Sequence, residues 1–302
     1  MKEQLFLETI KSIIGKKYIG DDCAYLSDLG IVVTQDSLVE DVHFKREYMN
    51  AYKLGYKSIS VNISDICASG AVPKYVTVAL SLPQSIEQEF IKDFYRGARA
   101  ALGSVEIIGG DITGADKIMV SVCAIGAVQN RKISSRTNAK ATQVIVTTGV
   151  HGSSAGGLEL LLNNIARPLS LIDAHLMPKP QIIASEQVSK NIDDDYAMVD
   201  TSDGLADALF QIAKASNKTL VVDFDKIKYD EELEMFSDYN EKILYGGEDY
   251  QLVATVPESL LPLLTEWYVI GVVEDGEACI SLKINNKTEI IDNIDKCYNH
   301  FN

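Results

Sequence analysis

The chain of 302 residues is 46% apolar and 24% charged, which suits a soluble protein with a sizeable core and excludes disorder, a collagen-like repeat or a disulfide mini-scaffold. Its net charge of −15 is unevenly spread: residues 1–140 carry 17 basic and 16 acidic side chains, while residues 141–302 carry 11 and 27. That step is a sign of two domains, expected at 1–135 and 136–302, and so acidic a surface disfavours nucleic acid and anionic lipid as partners.

In chain order, Leu5, Phe6, Ile10, Ile13 and Ile14 recur at helical spacing and predict a helix stopped by Gly15. A short strand is expected at Ile31–Thr34, a helix from Tyr52 to Ser69 and a strand at Tyr75–Leu82. Ser85 and Gln88 have the spacing of a capping box that opens a helix to Leu102. Glu106–Ile108 and Ile118–Ala127 read as strands on either side of a Gly109–Thr113 turn, and the basic, polar residues 128–142 as the connection between domains. Beyond it come a strand at Gln143–Thr148, a glycine-rich turn (Gly149, Gly152, Gly156, Gly157) and a helix over Ser154–Asn164. Pro180 suits the first position of another helix. The rest reads as a strand at Ala197–Val199, a helix from Asp203 to Ala215, and strands at Leu220–Phe224, Tyr250–Thr255, Tyr268–Val273 and Cys279–Ile284. The expected class is α+β.

The five cysteines are scattered, odd in number and without a C-x-x-C pair, a pattern of reduced thiols rather than of disulfides or zinc. The N-terminus lacks the apolar core of a signal peptide, and no run reaches the roughly 18 apolar residues of a membrane helix. A cytoplasmic protein is expected.

Five segments place Asp beside Gly, Ser or Thr at the end of an apolar strand or helix: Ile19-Gly20-Asp21-Asp22, Thr34-Gln35-Asp36-Ser37, Asn62-Ile63-Ser64-Asp65, Gly109-Gly110-Asp111-Ile112-Thr113 and Asp200-Thr201-Ser202-Asp203-Gly204. Each alone is an ordinary turn or helix cap. Together they resemble the oxygen-rich donor sets that hard cations choose, Mg²⁺ above all, with phosphates completing the shell. A bridging metal is also how so acidic a chain would accept an anionic ligand. P-loop, dinucleotide-binding and protein-kinase signatures are all missing, so an ATP enzyme here needs a rarer architecture.

The ordered set Ile19–Ala24, Thr34–Phe44, Lys57–Pro73, Gly109–Asp111, Asp200–Leu205 and Gly246–Tyr250 resembles the thiamine-monophosphate kinase family, from residue 19 to the Tyr298-Asn299-His300-Phe301 end. The resemblance implies a two-domain aminoimidazole-ribonucleotide-synthetase-like fold. Its N-terminal half would be a mixed α/β domain for metal, ATP and dimerisation, and an α+β C-terminal half would complete the site. It further implies a homodimer and transfer of the γ-phosphoryl group of ATP to thiamine monophosphate, with several Mg²⁺ ions as cofactors. Carried over residue by residue, Asp22, Thr34, Gln35, Asp36, Asp65, Asp111, Asp200 and Asp203 would ligate metal. Tyr95, Gly110, Asp111, Arg136 and Ser202 would meet ATP, and His43, Glu248 and Tyr298 the thiamine substrate. The acceptor is already an ionised phosphate, so no general base is implied, and no residue is assigned a proton-transfer role. Gln35 departs from the family, which commonly has a hydroxyl there; its amide oxygen or its backbone carbonyl would have to substitute. The glycine-rich stretch Gly149–Gly157 reads equally as a phosphate cradle at a helix start or as close packing. The rivals are another ATP-dependent synthetase of the same superfamily and a non-catalytic Mg²⁺–nucleotide binding protein.

Overall fold

The computed structural model describes residues 2–285, 287–298 and 300. Helix α1 (Lys2–Ile14) ends at Gly15, whose φ of +84° only glycine adopts without strain. A five-stranded sheet follows, built from β1 (Ala24–Leu26), β2 (Ile31–Val39), β3 (Val72–Leu82), β4 (Glu106–Gly114) and β5 (Met119–Ala127) in the order β1-β2-β5-β3-β4. Helices α2 (Ala51–Ala68) and α3 (Gln88–Leu102) join β2 to β3 and β3 to β4. They cross so closely that a Cβ on Gly55 would lie 2.0 Å from the Phe94 carbonyl oxygen, and one on Gly97 1.8 Å from that of Tyr52.

The second half forms a seven-stranded sheet and its covering helices. In chain order these are β6 (Val144–Thr148), α4 (Ser153–Leu162), α5 (Leu169–Leu176), α6 (Ile182–Asn191), β7 (Ala197–Asp200), α7 (Leu205–Ser216), β8 (Thr219–Asp223), α8 (Tyr239–Tyr245), β9 (Leu252–Val256), β10 (Trp267–Glu274), β11 (Cys279–Ile284) and β12 (Lys287–Ile291). The strand order is β12-β11-β8-β10-β6-β9-β7, antiparallel except for β8 with β11. Every residue of α2 from Ser58 to Ala68 is buried, as expected of a helix enclosed on all sides. It packs on the first sheet and, on its other flank, against β7, α5 and α6 of the second half. Ser64, Cys67 and Ala68 make hydrogen bonds from it to Asp200, Ser185 and Ser134. Among the described residues, no helix is long and apolar enough to cross a membrane.

Several local expectations give way. Gly109–Thr113 is not a turn but the continuation of β4, a parallel edge strand on β3. Its glycine pair lets the backbone lie flat on its neighbour: a Cβ on Gly110 would meet the Val78 carbonyl oxygen at 1.9 Å. The Ser85–Gln88 capping box does not form, since Glu87 occupies the cap position without a side-chain bond. Pro180 precedes α6 by two residues instead of opening it, and the helix expected from Asp203 starts at Leu205 after Gly204 at φ +112°. Strand β2 runs five residues past Thr34, held along its length by β5. Strands β1 and β12 and helices α5 and α8 add to the elements expected from periodicity.

Candidate active site

The site is assembled on α2, where the two halves meet. Helical spacing gives the helix two working faces. Asn62 and Asp65, three apart, face β2: the Asn62 side-chain oxygen accepts the Asp36 backbone N–H at 3.0 Å, and the Thr34 hydroxyl donates to Asp65 Oδ2 at 2.6 Å. Lys57 and Ser64, seven apart, face the second half: Ser64 donates to Asp200 Oδ2 at 2.5 Å, and Lys57 Nζ lies 2.9 Å from Glu248 Oε1. Asp22 enters from the turn before β1. Carboxylate oxygens of Asp22, Asp65 and Asp200 lie within 4.8 Å of one another. Residues some 40 and 180 positions apart in sequence thus converge on one point.

Burial, reinforced by the mutual repulsion of these groups, pushes the carboxyls of Asp65 and Asp200 well above the usual carboxylate range, and those of Asp22 and Asp36 up as well. Among the described residues, the cation paired with one of these carboxylates is Arg136, whose Nη2 lies 2.8 Å from Asp22 Oδ1 while Nη1 bonds Gln211. Asp21 anchors that loop by accepting the Arg136 backbone N–H at 2.8 Å. One guanidinium, paired with Asp22, does not compensate the repulsion among the carboxyls, which therefore hold protons more tightly until a cation joins them. The donors are all oxygens, so a hard divalent cation such as Mg²⁺ fits them, and a thiophilic metal does not. A cleft of about 410 Å³, bordered by Asp21, Tyr25, Arg131 and Asn138, opens beside the Arg136 loop.

Not every residue expected here arrives. Side chains alternate across a strand, so Thr34 and Asp36 face α2 while the Gln35 side chain lies on the opposite face, donating to Ser121 Oγ at 3.2 Å. As a side-chain ligand to this cluster Gln35 is therefore corrected, and its backbone carbonyl is what remains. Asp111 also stands apart. Asp36 pairs with Val122, Val122 with Val78 and Val78 with Gly110, three strand spacings or roughly 14 Å. Gly110 and Asp111 therefore lie on the exposed β4 edge, away from the trio. Tyr95 sits on α3, half-buried against the core and edge-on to Phe94 at 5.4 Å. Ser202 and Asp203 form the turn between β7 and α7, and the Ser202 carbonyl accepts the Glu248 N–H at 2.7 Å.

His43 and Tyr298 both approach the His300 ring, and Glu248 lies near enough to His43 for its charge to favour the protonated imidazole. Glu248 has a backbone φ of +66°, unusual for a residue other than glycine. Burial works against its charge, but Lys57 and then His175 prevail and hold its carboxyl below the usual range. His43 Nδ1 accepts the Val39 N–H at 3.0 Å, which leaves Nε2–H as the donor; burial and the neighbouring His300 lower its pKa. The His300 ring lies 5.1 Å from that of His43 and 4.9 Å from that of Tyr298. Asn299 and Phe301 of the expected C-terminal motif lie outside the described residues.

The glycine-rich turn before α4 is filled from within. Asp249 accepts the backbone N–H groups of Gly152 and Ser154 at 2.5 and 2.8 Å, so its own carboxylate takes the place a phosphate would. Lys57, Asn62 and His175 were not singled out as site residues from the sequence. The first two sit in the α2 motif, at spacings that could have marked them. His175 lies in an apolar stretch with no such signal.

Residues 20–128 match the family model for AIR synthase related protein, N-terminal domain, and residues 142–281 that for the C-terminal domain. The thiamine-monophosphate kinase of Bacillus subtilis is 35% identical, over 94% of this chain and 93% of its own. That of Aquifex aeolicus is 34% identical, over 90% and 91%. The solved structure of AaThiL complexed with AMPPCP and TMP has a TM-score of 0.86 at 32% identity, covering 96% of this chain and 98% of the other. A chain of the HypE–HypF complex reaches a TM-score of 0.78 at 20% identity, over 95% and 99%, which is a likeness of fold alone.

Proposed function

The chain belongs to the thiamine-monophosphate kinase family, and we propose that it transfers the γ-phosphoryl group of ATP directly to the phosphate of thiamine monophosphate, giving thiamine diphosphate and ADP. The observation that carries this reading is the convergence of Asp22, Asp65 and Asp200 at the junction of the two halves, in a family whose relative is solved with AMPPCP and TMP. In the reaction a phosphate oxygen of the acceptor forms a bond to the γ-phosphorus, and the bond to the oxygen bridging the β- and γ-phosphates breaks in line. The acceptor oxygen is already ionised, so no general base is needed.

Asp22, Asp65 and Asp200 would hold Mg²⁺, with Thr34 and Asp36 beside them. When bound, the ions neutralise and orient the phosphate oxygens, as phosphoryl transfer requires. Thr34 and Ser64 fix the orientation of two of these carboxylates, and Asn62 fixes the end of β2 that carries Asp36. Arg136, which contacts Asp22 and Gln211, would meet ATP phosphates with a planar set of donors. His43 offers Nε2–H to the acceptor phosphate. The division into 1–135 and 136–302 belongs to the same reading, with Gly110 and Asp111 on the β4 edge meeting nucleotide through a second copy of the chain in a homodimer.

ADP release tests this. Turnover is expected with thiamine monophosphate, ATP and Mg²⁺, and neither in excess chelator nor with free thiamine, which lacks the nucleophilic phosphate. Full turnover in chelator, or equal rates with thiamine, would overturn it.

A further inference from the structure

We propose that Gln211, on α7, is the positioning residue of the Arg136 guanidinium, and that it holds this group as a neutral acceptor, so that the positive charge stays available to a phosphate. This rests on the kinase reading above, in which Arg136 meets ATP phosphates, and adds the group that aims its side chain.

The backbone of Arg136 is held through both its N–H and its carbonyl. Asp21 Oδ1 accepts the N–H at 2.8 Å, and the carbonyl accepts the Ser216 hydroxyl at 2.6 Å. That hydroxyl in turn accepts the Ala139 N–H at 3.0 Å, which fastens the loop to α7. The side chain is long and its freedom lies beyond those contacts, so its direction needs anchors of its own. Two are present: Nη2 lies 2.8 Å from Asp22 Oδ1, and Nη1 donates to Gln211 Oε1. Asp22 is also one of the carboxylates that would hold Mg²⁺, so its grip on the guanidinium would be shared with the metal. Gln211 lies outside that trio and is the anchor on which the metal does not draw.

The orientation of the Gln211 amide is itself set. Asp207 and Gln211 stand four residues apart on one face of α7, and Gln211 Nε2 donates to Asp207 Oδ2. Arginine offers donors only, so the amide oxygen has to face Arg136 and the nitrogen Asp207; the two contacts require the same orientation. Residue type matters as much as reach. A carboxylate at position 211 would set a second negative charge against a guanidinium already paired with Asp22, whereas an amide aligns the planar fork and adds no charge. Each Nη carries a second N–H, and the Arg136 side chain is 17% exposed, which leaves donors for a ligand anion.

Calorimetric titration with ATP in Mg²⁺ tests this, because it reads nucleotide binding without any acceptor. Gln211→Met keeps the length and helix preference of the side chain and removes both amide contacts. It should weaken ATP binding by about five- to tenfold, the contribution of one hydrogen bond. In turnover, KM for ATP should rise while KM for thiamine monophosphate moves less than about twofold. Arg136→Met should weaken ATP binding by about tenfold or more. In the double variant the Gln211 substitution should add less than about twofold, because the guanidinium through which it acts is gone; a merely structural role would carry its full cost into the double variant. Gln211→Glu keeps an acceptor of the same reach and should bind ATP at least as weakly as Gln211→Met, and it decides alone if Arg136→Met does not fold. Wild-type affinity in any of the three single variants, or costs that multiply in the double variant, would overturn the inference. Absence of phosphoryl transfer to thiamine monophosphate would instead remove the kinase reading and leave the binding comparison standing.

Discussion

Replacing Asp65 by Asn separates a metal ligand from a turn-former, because the two roles predict opposite effects on stability and rate. The carboxylate oxygens of Asp22, Asp65 and Asp200 lie within 4.8 Å of one another. At an effective dielectric constant of about 20, two unit charges at that distance repel by about 3.5 kcal/mol. Metal-free protein escapes part of this by holding protons, and Arg136 offsets part of it at Asp22. Asp65→Asn also weakens the bond from Thr34, whose acceptor loses its charge, at a cost of about 1 kcal/mol. The balance is a gain of about 2 kcal/mol without metal at pH 8, or a rise in melting temperature of roughly 4–8 °C. Turnover should fall by about two to three orders of magnitude, as when one electrostatic contact to a transition state is deleted. Calorimetry in chelator and ADP release in Mg²⁺ measure the two quantities on the same preparation. A drop in melting temperature together with near-normal turnover would refute the reasoning and make Asp65 a structural residue.

Further outcomes follow from the same geometry. Asp65 and Asp200 have folded-state pKa values raised above the ordinary 3.8, so their favourable contribution is full below about pH 4 and is lost as pH rises through the folded values. The melting-temperature advantage of Asp65→Asn over wild type without metal should therefore be small at pH 5 and larger at pH 8, and a constant offset would contradict the charge argument. For the same reason, stabilisation by added Mg²⁺ should grow from pH 5 to pH 8 in thermal melts. Gln35→Thr changes a side chain on the far face of β2 from the carboxylates, so kcat/KM should move less than about twofold; strong inactivation would give the amide a role. Gly97→Ala drives a Cβ to 1.8 Å from the Tyr52 carbonyl oxygen, and urea unfolding should show a loss of about 3 kcal/mol or more as α2 and α3 are forced apart. A loss below about 1 kcal/mol would mean that the crossing is adaptable.

The acidic motifs were legible in the sequence as chemistry, because oxygen donors beside small residues suit a hard cation wherever they fall in space. Their order along the chain carried the family, and the succession of strand-like and helix-like segments carried the α+β class. Which of those donors share a point was a matter of tertiary structure. Gln35 is flanked by two residues that face α2, and only the pairing of β2 with β5 settles which face of the strand meets that helix. Gly109-Gly110-Asp111 has the composition of a turn, yet it lies flat as an edge strand because β3 supplies a ladder that no local preference could reveal. Lys57 is an ordinary helix residue in one dimension. It becomes a buried partner of Glu248 only when a loop 191 positions further along the chain folds onto α2. Residue type sets what a group can do chemically, and that is written locally; distance and burial decide whether it does so here, and both come from contacts between segments remote in sequence.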